Sequence, residues 1–170
     1  MIEVIPGLYV GSQNDYDAAK ANTKMKVISA AKEPWHRQAL GYTGRGAPKE
    51  DPEYLVAYRP RHVILNLVDP NDAKWIPREV IDAAIDEIGG GLDDGLDVLV
   101  HCNQGESRAP SIALLYLLTD SLTNGPFLDC ENGDEVIDVF RTDYYPDYNP
   151  SEGFTQFVRD NWASYLTGKE

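Results

Sequence analysis

The chain has 170 residues, two cysteines, three histidines and a formal net charge of −13. Its length suits one domain with a well-buried core, and no apolar run approaches the roughly 18 residues of a membrane span. The acidic balance argues against nonspecific binding to nucleic acid or to an anionic membrane, since both are driven by neutralising phosphate charge.

Cys102 and Cys130 are too few for a disulfide scaffold or a zinc site. His36, His62 and His101 are scattered along the chain, so no metal and no other cofactor is expected. Met1 to Pro6 has no basic and no long apolar region and does not read as a signal peptide. The expectation is a reducing, cytoplasmic compartment.

Ile5 to Ser12 predicts a turn and a short strand. Asp15 to Ala21 is a short helix, and Lys26 to Ala31 a second strand. From Lys32 to Arg61, Gly41, Gly44, Gly46, Pro48, Pro52 and Pro60 break the periodicity. This stretch reads as a surface insertion with a short helix over Trp35 to Leu40 and room for a small strand at Tyr54 to Ala57. Trp35, His36, Arg37 and Arg45 are candidates for a pocket rim, set against the blander reading of a partly ordered insertion.

His62 to Val68 is nearly all apolar and reads as a central strand, ending at Asp69-Pro70-Asn71-Asp72. Trp75 is placed to anchor the loop that follows as a hinge. Val80, Ile81, Ala84, Ile85 and Ile88 recur at helical spacing, so a helix runs from Arg78 to Ile88 and stops at Gly89-Gly90-Gly91. Val98 to Val100 is a buried strand, and Ile112 to Leu118 a buried helix. Thr119 to Asp134 reads as a second loop insertion, holding Cys130 as a plain thiol. Glu135 to Arg141 is helical, and Ser151 caps a last helix that reaches about Leu166. Alternating strands and helices give one α/β domain over residues 1–170, with a central, mostly parallel sheet flanked by helices.

Cys102 thus sits where a strand ends, and Arg108 where a helix begins, with five residues between them. Gly105 lets the loop turn back without strain. The first N–H groups of a helix lack internal partners and carry the positive end of its dipole, so a loop closing onto them cradles phosphate. Pro110 falls in the first turn, where its missing N–H costs nothing, and Ser107 is placed to cap the helix. The same field and a nearby arginine favour thiolate over thiol at Cys102. Arg108 offers a planar fork for two phosphate oxygens. The N–H groups of Asn103, Gln104, Gly105, Glu106, Ser107 and Arg108 complete a candidate phosphate cradle at the C-terminal end of a strand, where open α/β sheets place their sites.

His101-Cys102, five residues and Arg108, with Gly105 between, resemble the signature of the cysteine-dependent protein phosphatases, and Cys102 to Ser111 looks most like their dual-specificity branch. Pro6-Gly7-Leu8-Tyr9-Val10-Gly11 and Asn149-Pro150-Ser151-Glu152-Gly153-Phe154 are similar to that family's opening strand and its link to the terminal helix. The resemblance implies a metal-independent phosphatase acting on phosphotyrosine, phosphoserine or phosphothreonine of proteins, or on small phosphate esters. Cys102 would attack phosphorus and form a phosphocysteine, with Arg108 holding the oxygens. The family draws its general acid from an upstream aspartate. Asp69 is favoured, with Asp72 as the alternative, because the loop register is open. His101 would brace the loop. Glu106 is expected to point outward, away from a dianion.

The family often has a hydroxyl directly after the arginine. Here that position is Ala109, which leaves Ser111 as the substitute that would help the thiolate depart. Lysines are absent from the loop, which disfavours a lipid substrate. The protein is expected to act as a monomer. Two other readings stand beside the enzyme: a phosphatase-like module that binds phosphorylated ligands with little turnover, and a rhodanese-like or arsenate reductase-like enzyme sharing the Cys-x5-Arg pattern.

Overall fold

The computed structural model describes residues 1–167. Six strands form one sheet: β1 Ile2–Ile5, β2 Leu8–Gly11, β3 Met25–Ser29, β4 Val56–Arg59, β5 His62–Leu65 and β6 Asp97–His101. Their order across the sheet is β1-β2-β6-β3-β5-β4. The four inner strands run parallel, and the outer two, β1 and β4, are hairpin partners antiparallel to β2 and β5. The α/β sheet expected from the alternating pattern is therefore present, and β6 lies inside it between β2 and β3.

Six helices cover the sheet: α1 Gln13–Ala19, α2 Arg37–Leu40, α3 Arg78–Asp93, α4 Arg108–Thr119, α5 Gly133–Asp143 and α6 Glu152–Tyr165. Strand alternation sorts the side chains between two faces. Val98 and Val100 of β6 join the main core with α3, α4, α5 and α6, while Leu99 packs with Ala19, Met25 and Val27 under α1. Beyond it, Trp35, Ala31, Ala57 and Ile64 form a third cluster on the outer part of the sheet. Helix α4 is buried at ten consecutive positions, Ala109 to Leu118, and so serves as the central rod of the core.

Several boundaries differ from expectation. Helix α1 starts two residues early because Ser12 and Asp15 form a reciprocal capping box. Helix α3 runs through the three glycines instead of stopping there. A Cβ on Gly91 would stand 2.8 Å from Val98 and 3.0 Å from Lys26, so this glycine lets the helix lie close to the sheet. The helix ends at Gly95, in the left-handed region at φ 75. There Gly95 N–H donates to Leu92 and Leu96 N–H to Gly91, the double bond that closes a helix C-terminus.

The segment from 32 to 61 holds a π-turn at Lys32–His36, helix α2 and strand β4, which lies two residues later than the sequence suggested. Its length is used to return the chain to the sheet edge beside β5. Strand β1 was not anticipated. It is four residues long, and only Val4 in it is buried. Helix α5 extends two residues beyond each expected end, while Ser151 caps α6 through Phe154 N–H as expected. Among the described residues, no helix is long and apolar enough to cross a membrane.

Candidate active site

The loop after β6 is fixed by its carbonyls. Asn103 O accepts from Gln13 N–H at 3.1 Å, Gly105 O from the Tyr145 hydroxyl at 2.7 Å, and Glu106 O from Asn149 N–H at 2.8 Å. These three carbonyls are engaged from outside the loop. Gly105 N–H points at Cys102 Sγ, 3.3 Å away. Gly105 has φ 77, and a Cβ there would meet the Gly11 carbonyl at 2.9 Å, so only glycine allows this approach. Burial holds the Tyr145 hydroxyl well above its ordinary pKa, which keeps it a donor to the loop.

Cys102 is 2% exposed at the base of a cavity of about 390 Å³. Asp69, Asn103, Gln104, Glu106, Ser107 and Arg108 line that cavity, with Asn149 to Ser151 at its side. Arg108 is held on two sides: Nη1 donates to Leu67 O at 3.2 Å and Nη2 to Asn103 Oδ1 at 2.6 Å. Its Nε is buried with no hydrogen-bond partner among the described residues. A buried donor of this kind is costly to leave unmatched, and an oxyanion in the cavity is the natural acceptor. Glu106 is exposed at the cavity's edge.

Asp69 and Asp72 part company. Asp69 faces the cavity, and its Oδ1 accepts from Ser107 Oγ at 2.7 Å. Asp72 caps the short turn Ala73–Trp75 through Lys74 N–H and lines a different cavity with Glu152 and Arg159. Ser107 therefore does not cap α4 with its side chain, contrary to expectation. Its hydroxyl is taken by Asp69 and in turn accepts from Ser151 N–H at 2.9 Å. Trp75 is 63% exposed, with Lys74 Nζ 5.3 Å from its ring, while Ile76, just after the turn, is 5% exposed.

His101 is fully buried behind the loop, on the opposite side of β6 from the main core. Its Nδ1 faces Cys102 O at 3.2 Å, a carbonyl, so Nδ1 carries the proton and Nε2 is the acceptor. Ser29 Oγ, 2.6 Å from His101 Nε2 and 2.8 Å from His62 Nε2, then donates to His101 and accepts from His62. Tyr16 stacks on both rings, and burial pushes the His101 pKa down to about 4. A neutral imidazole thus supports the backbone of the nucleophile.

No family model matches the chain. Mouse dual specificity protein phosphatase 12 is 25% identical over 157 residues, covering 90% of this chain but only 38% of the mouse protein. The crystal structure of DUSP15 superposes with a TM-score of 0.63 at 22% identity, covering 97% of this chain and 89% of that one. A human tyrosine phosphatase-like serine/threonine/tyrosine-interacting protein gives a TM-score of 0.59 at 17% identity, covering 97% of both chains. The chain is similar to these phosphatases and has the fold of their phosphatase domains.

Within that phosphatase-like fold, two sequence expectations need correction. Ser111 is fully buried, its hydroxyl is bonded to the Tyr148 hydroxyl at 2.8 Å, and it does not line the Cys102 cavity, so its hydroxyl is engaged elsewhere than at the position left empty by Ala109. Trp35 and His36 are buried, Arg37 pairs with Glu33, and Arg45 is exposed; none of the four lines the Cys102 cavity. Cys130 is a buried thiol beside a separate shallow cavity.

Sequence reasoning missed Tyr145 and the working parts of the 149–153 segment. Asn149 N–H holds the loop, Ser151 N–H holds Ser107, and Gly153 N–H donates to Pro70 O at 3.1 Å. A Cβ on Gly153 would stand 2.4 Å from that carbonyl. The Asn-Pro-x-x-Gly-Phe run is the sequence signal that accompanies these contacts.

Proposed function

We propose that the protein hydrolyses phosphate monoesters, chiefly those of phosphorylated proteins, through a phosphocysteine intermediate. The observation that carries this reading is the meeting of Cys102, Arg108 and Asp69 on one cavity, with Gly105 N–H aimed at the Cys102 sulfur. The Cys102 thiolate attacks phosphorus, and the bond to the leaving oxygen breaks. Arg108 and the loop N–H groups hold the non-bridging oxygens as charge moves. Asp69 gives its proton to the leaving alkoxide or phenoxide. It then takes a proton from the water that attacks the phosphocysteine, releasing phosphate and restoring the thiolate. Charge neutralisation comes from the chain itself, so the reaction is expected to run without metal. A reducing compartment such as the cytoplasm belongs to this reading, because a reactive thiolate must be kept from oxidation.

A second reading is favoured by one observation. On the first turn of α4, Ala109 has no hydroxyl, and Ser111 is bonded to Tyr148 and does not line the Cys102 cavity. Slow breakdown of the intermediate would make the domain a holder of phosphorylated ligands more than a catalyst. Hydrolysis of p-nitrophenyl phosphate in the presence of a chelator decides between them. Sustained turnover that is abolished in Cys102→Ser is the expected result. A single stoichiometric burst without turnover gives the binding module, and activity surviving Cys102→Ser removes the mechanism.

A further inference from the structure

We propose that a second anion site lies under α1, in a cavity bounded by Lys20, Arg59, Arg61 and His62, and that it takes a small phosphate-bearing ligand. The cavity measures about 220 Å³ and opens between α1, the start of β3 and the β4–β5 turn, apart from the Cys102 cavity. Tyr16 forms one wall, and no carboxylate lines it. That is notable in a chain with 28 acidic and 15 basic residues, where a surface hollow would ordinarily collect acids. Three of those 15 cations converge here.

The existing partners leave part of this charge available. Lys20 pairs with Asp17 at 3.1 Å at the exposed surface, where such a pair is worth little, while Arg59 is held more firmly, Nη1 to both Glu53 oxygens at 2.9 Å and Nη2 to Ala39 O at 3.1 Å. Arg61 has no carboxylate partner among the described residues. Its Nη1 donates to the carbonyls of Asn22 and Met25, which fixes the guanidinium beside the cavity. Arg61 also has φ 54, a conformation that favours glycine, so the chain places a guanidinium where glycine would be the unstrained choice. His62 registers the field: burial lowers its proton affinity most, and Arg59 lowers it further. An anion would relieve that repulsion. The volume falls below the roughly 300–1,000 Å³ of drug-sized ligand sites, which suits phosphate or a small phosphate ester over a nucleotide.

The site is connected to the nucleophile through the His62–Ser29–His101 bonds and the His101 contact with Cys102 O. Binding itself does not depend on turnover at Cys102, so a chain that fails to hydrolyse phosphate esters leaves this proposal standing.

The test titrates the whole chain with inorganic phosphate and, separately, with glycerol phosphate. Backbone amide NMR shifts are followed at Tyr16 and His62. In Arg108→Lys, where the other anion site is weakened, saturable shifts at Tyr16 and His62 are expected to persist. In the double variant Arg61→Gly with Lys20→Gln they should weaken tenfold or more. Glycine is compatible with the backbone at residue 61, and an unchanged amide spectrum elsewhere confirms folding. Tighter binding of the ester assigns the site to a phosphate ester, and equal or weaker binding to free phosphate. Shifts that never saturate, that disappear in Arg108→Lys, or that survive the double variant overturn the site.

Discussion

Two loops meet over the Cys102 cavity, and they are built in opposite ways. The 102–108 loop is held from α1, from Tyr145, from Asn149 and from His101 beneath, and its base is buried. The 66–72 loop is held at its start, where Leu67 O accepts from Arg108 and Lys32, but carries Asp69 beyond that at an exposed position, reaching the first loop through the Ser107 hydroxyl and α6 through Pro70 and Gly153. The difference matches the two tasks proposed for them. A phosphate cradle works by preorganised dipoles and gains nothing from adjusting. A general acid must meet a leaving group whose position varies with the substrate, so fewer contacts suffice. Errors in the first loop should therefore damage every substrate equally, and errors in the second should depend on the leaving group.

The sharpest break of that contrast is Arg108→Lys. Lysine keeps the charge but loses the fork and the bonds to Asn103 and Leu67. Turnover is expected to fall about a thousandfold, the order found for a phosphoryl-stabilising arginine. Aryl and alkyl phosphates should suffer alike, and steady-state rates on both substrates check this. A loss confined to alkyl phosphates would place Arg108 with the acid instead.

The second prediction concerns the support beneath the cradle. His101 has its folded pKa at about 4 against an ordinary 6.5, so the unfolded chain binds a proton that the folded chain refuses. Its stabilising contribution is full above pH 6.5 and is lost as pH falls from 6.5 towards 4, by about 3 kcal/mol over that window. Urea midpoints at several pH values, for wild type and His101→Asn, measure it. Equal pH slopes in the two proteins would remove His101 as the source.

Third, Asp69→Asn should slow phosphorylation of Cys102 by an alkyl phosphate about a hundredfold, and by p-nitrophenyl phosphate, whose phenolate leaves with little help, far less; pre-steady-state rates measure this first step apart from breakdown of the phosphocysteine, which should slow equally with both substrates. Asp72→Asn should change neither much, because Asp72 faces its own turn and a different cavity. The opposite result would move the acid to Asp72.

The first loop was legible in the sequence because its parts are contiguous: an apolar strand, a cysteine, a glycine at the turn, an arginine and an apolar helix. The parallel sheet followed from the same alternation. What escaped were pairings between distant residues. Ser107 looked like a helix cap because its partner Asp69 lies 38 positions away. Ser111 looked available because Tyr148, which takes its hydroxyl, belongs to another segment. Gly91 looked like a helix stop, since close approach to Val98 leaves no trace in a local pattern. Strand β4 was misplaced and β1 missed because short edge strands carry little apolar periodicity.

The smallest expected effect tests the joint between the two loops. Ser107 Oγ donates to Asp69 and accepts from Ser151 N–H, so one hydroxyl ties the acid loop, the cradle and the start of α6 together. Removing it in Ser107→Ala leaves Asp69 at the exposed edge, where water replaces the lost bond at modest cost. A hydrogen bond of this kind contributes about 1 kcal/mol net, or about fivefold in rate. In the first step that loss should fall on the alkyl phosphate, because only its leaving group needs the Asp69 proton. The first-step rate with p-nitrophenyl phosphate and the affinity for inorganic phosphate should stay near wild type, since the loop carbonyls keep their outer partners. Ser107→Thr retains the hydroxyl and should restore most of the alkyl rate. In the double variant with Asp69→Asn, Ser107→Ala should add almost nothing, as expected when one residue acts through another. An equal loss on both substrates would instead make Ser107 part of the cradle, and the contrast between the loops would narrow to the bonds of Tyr145 and Asn149.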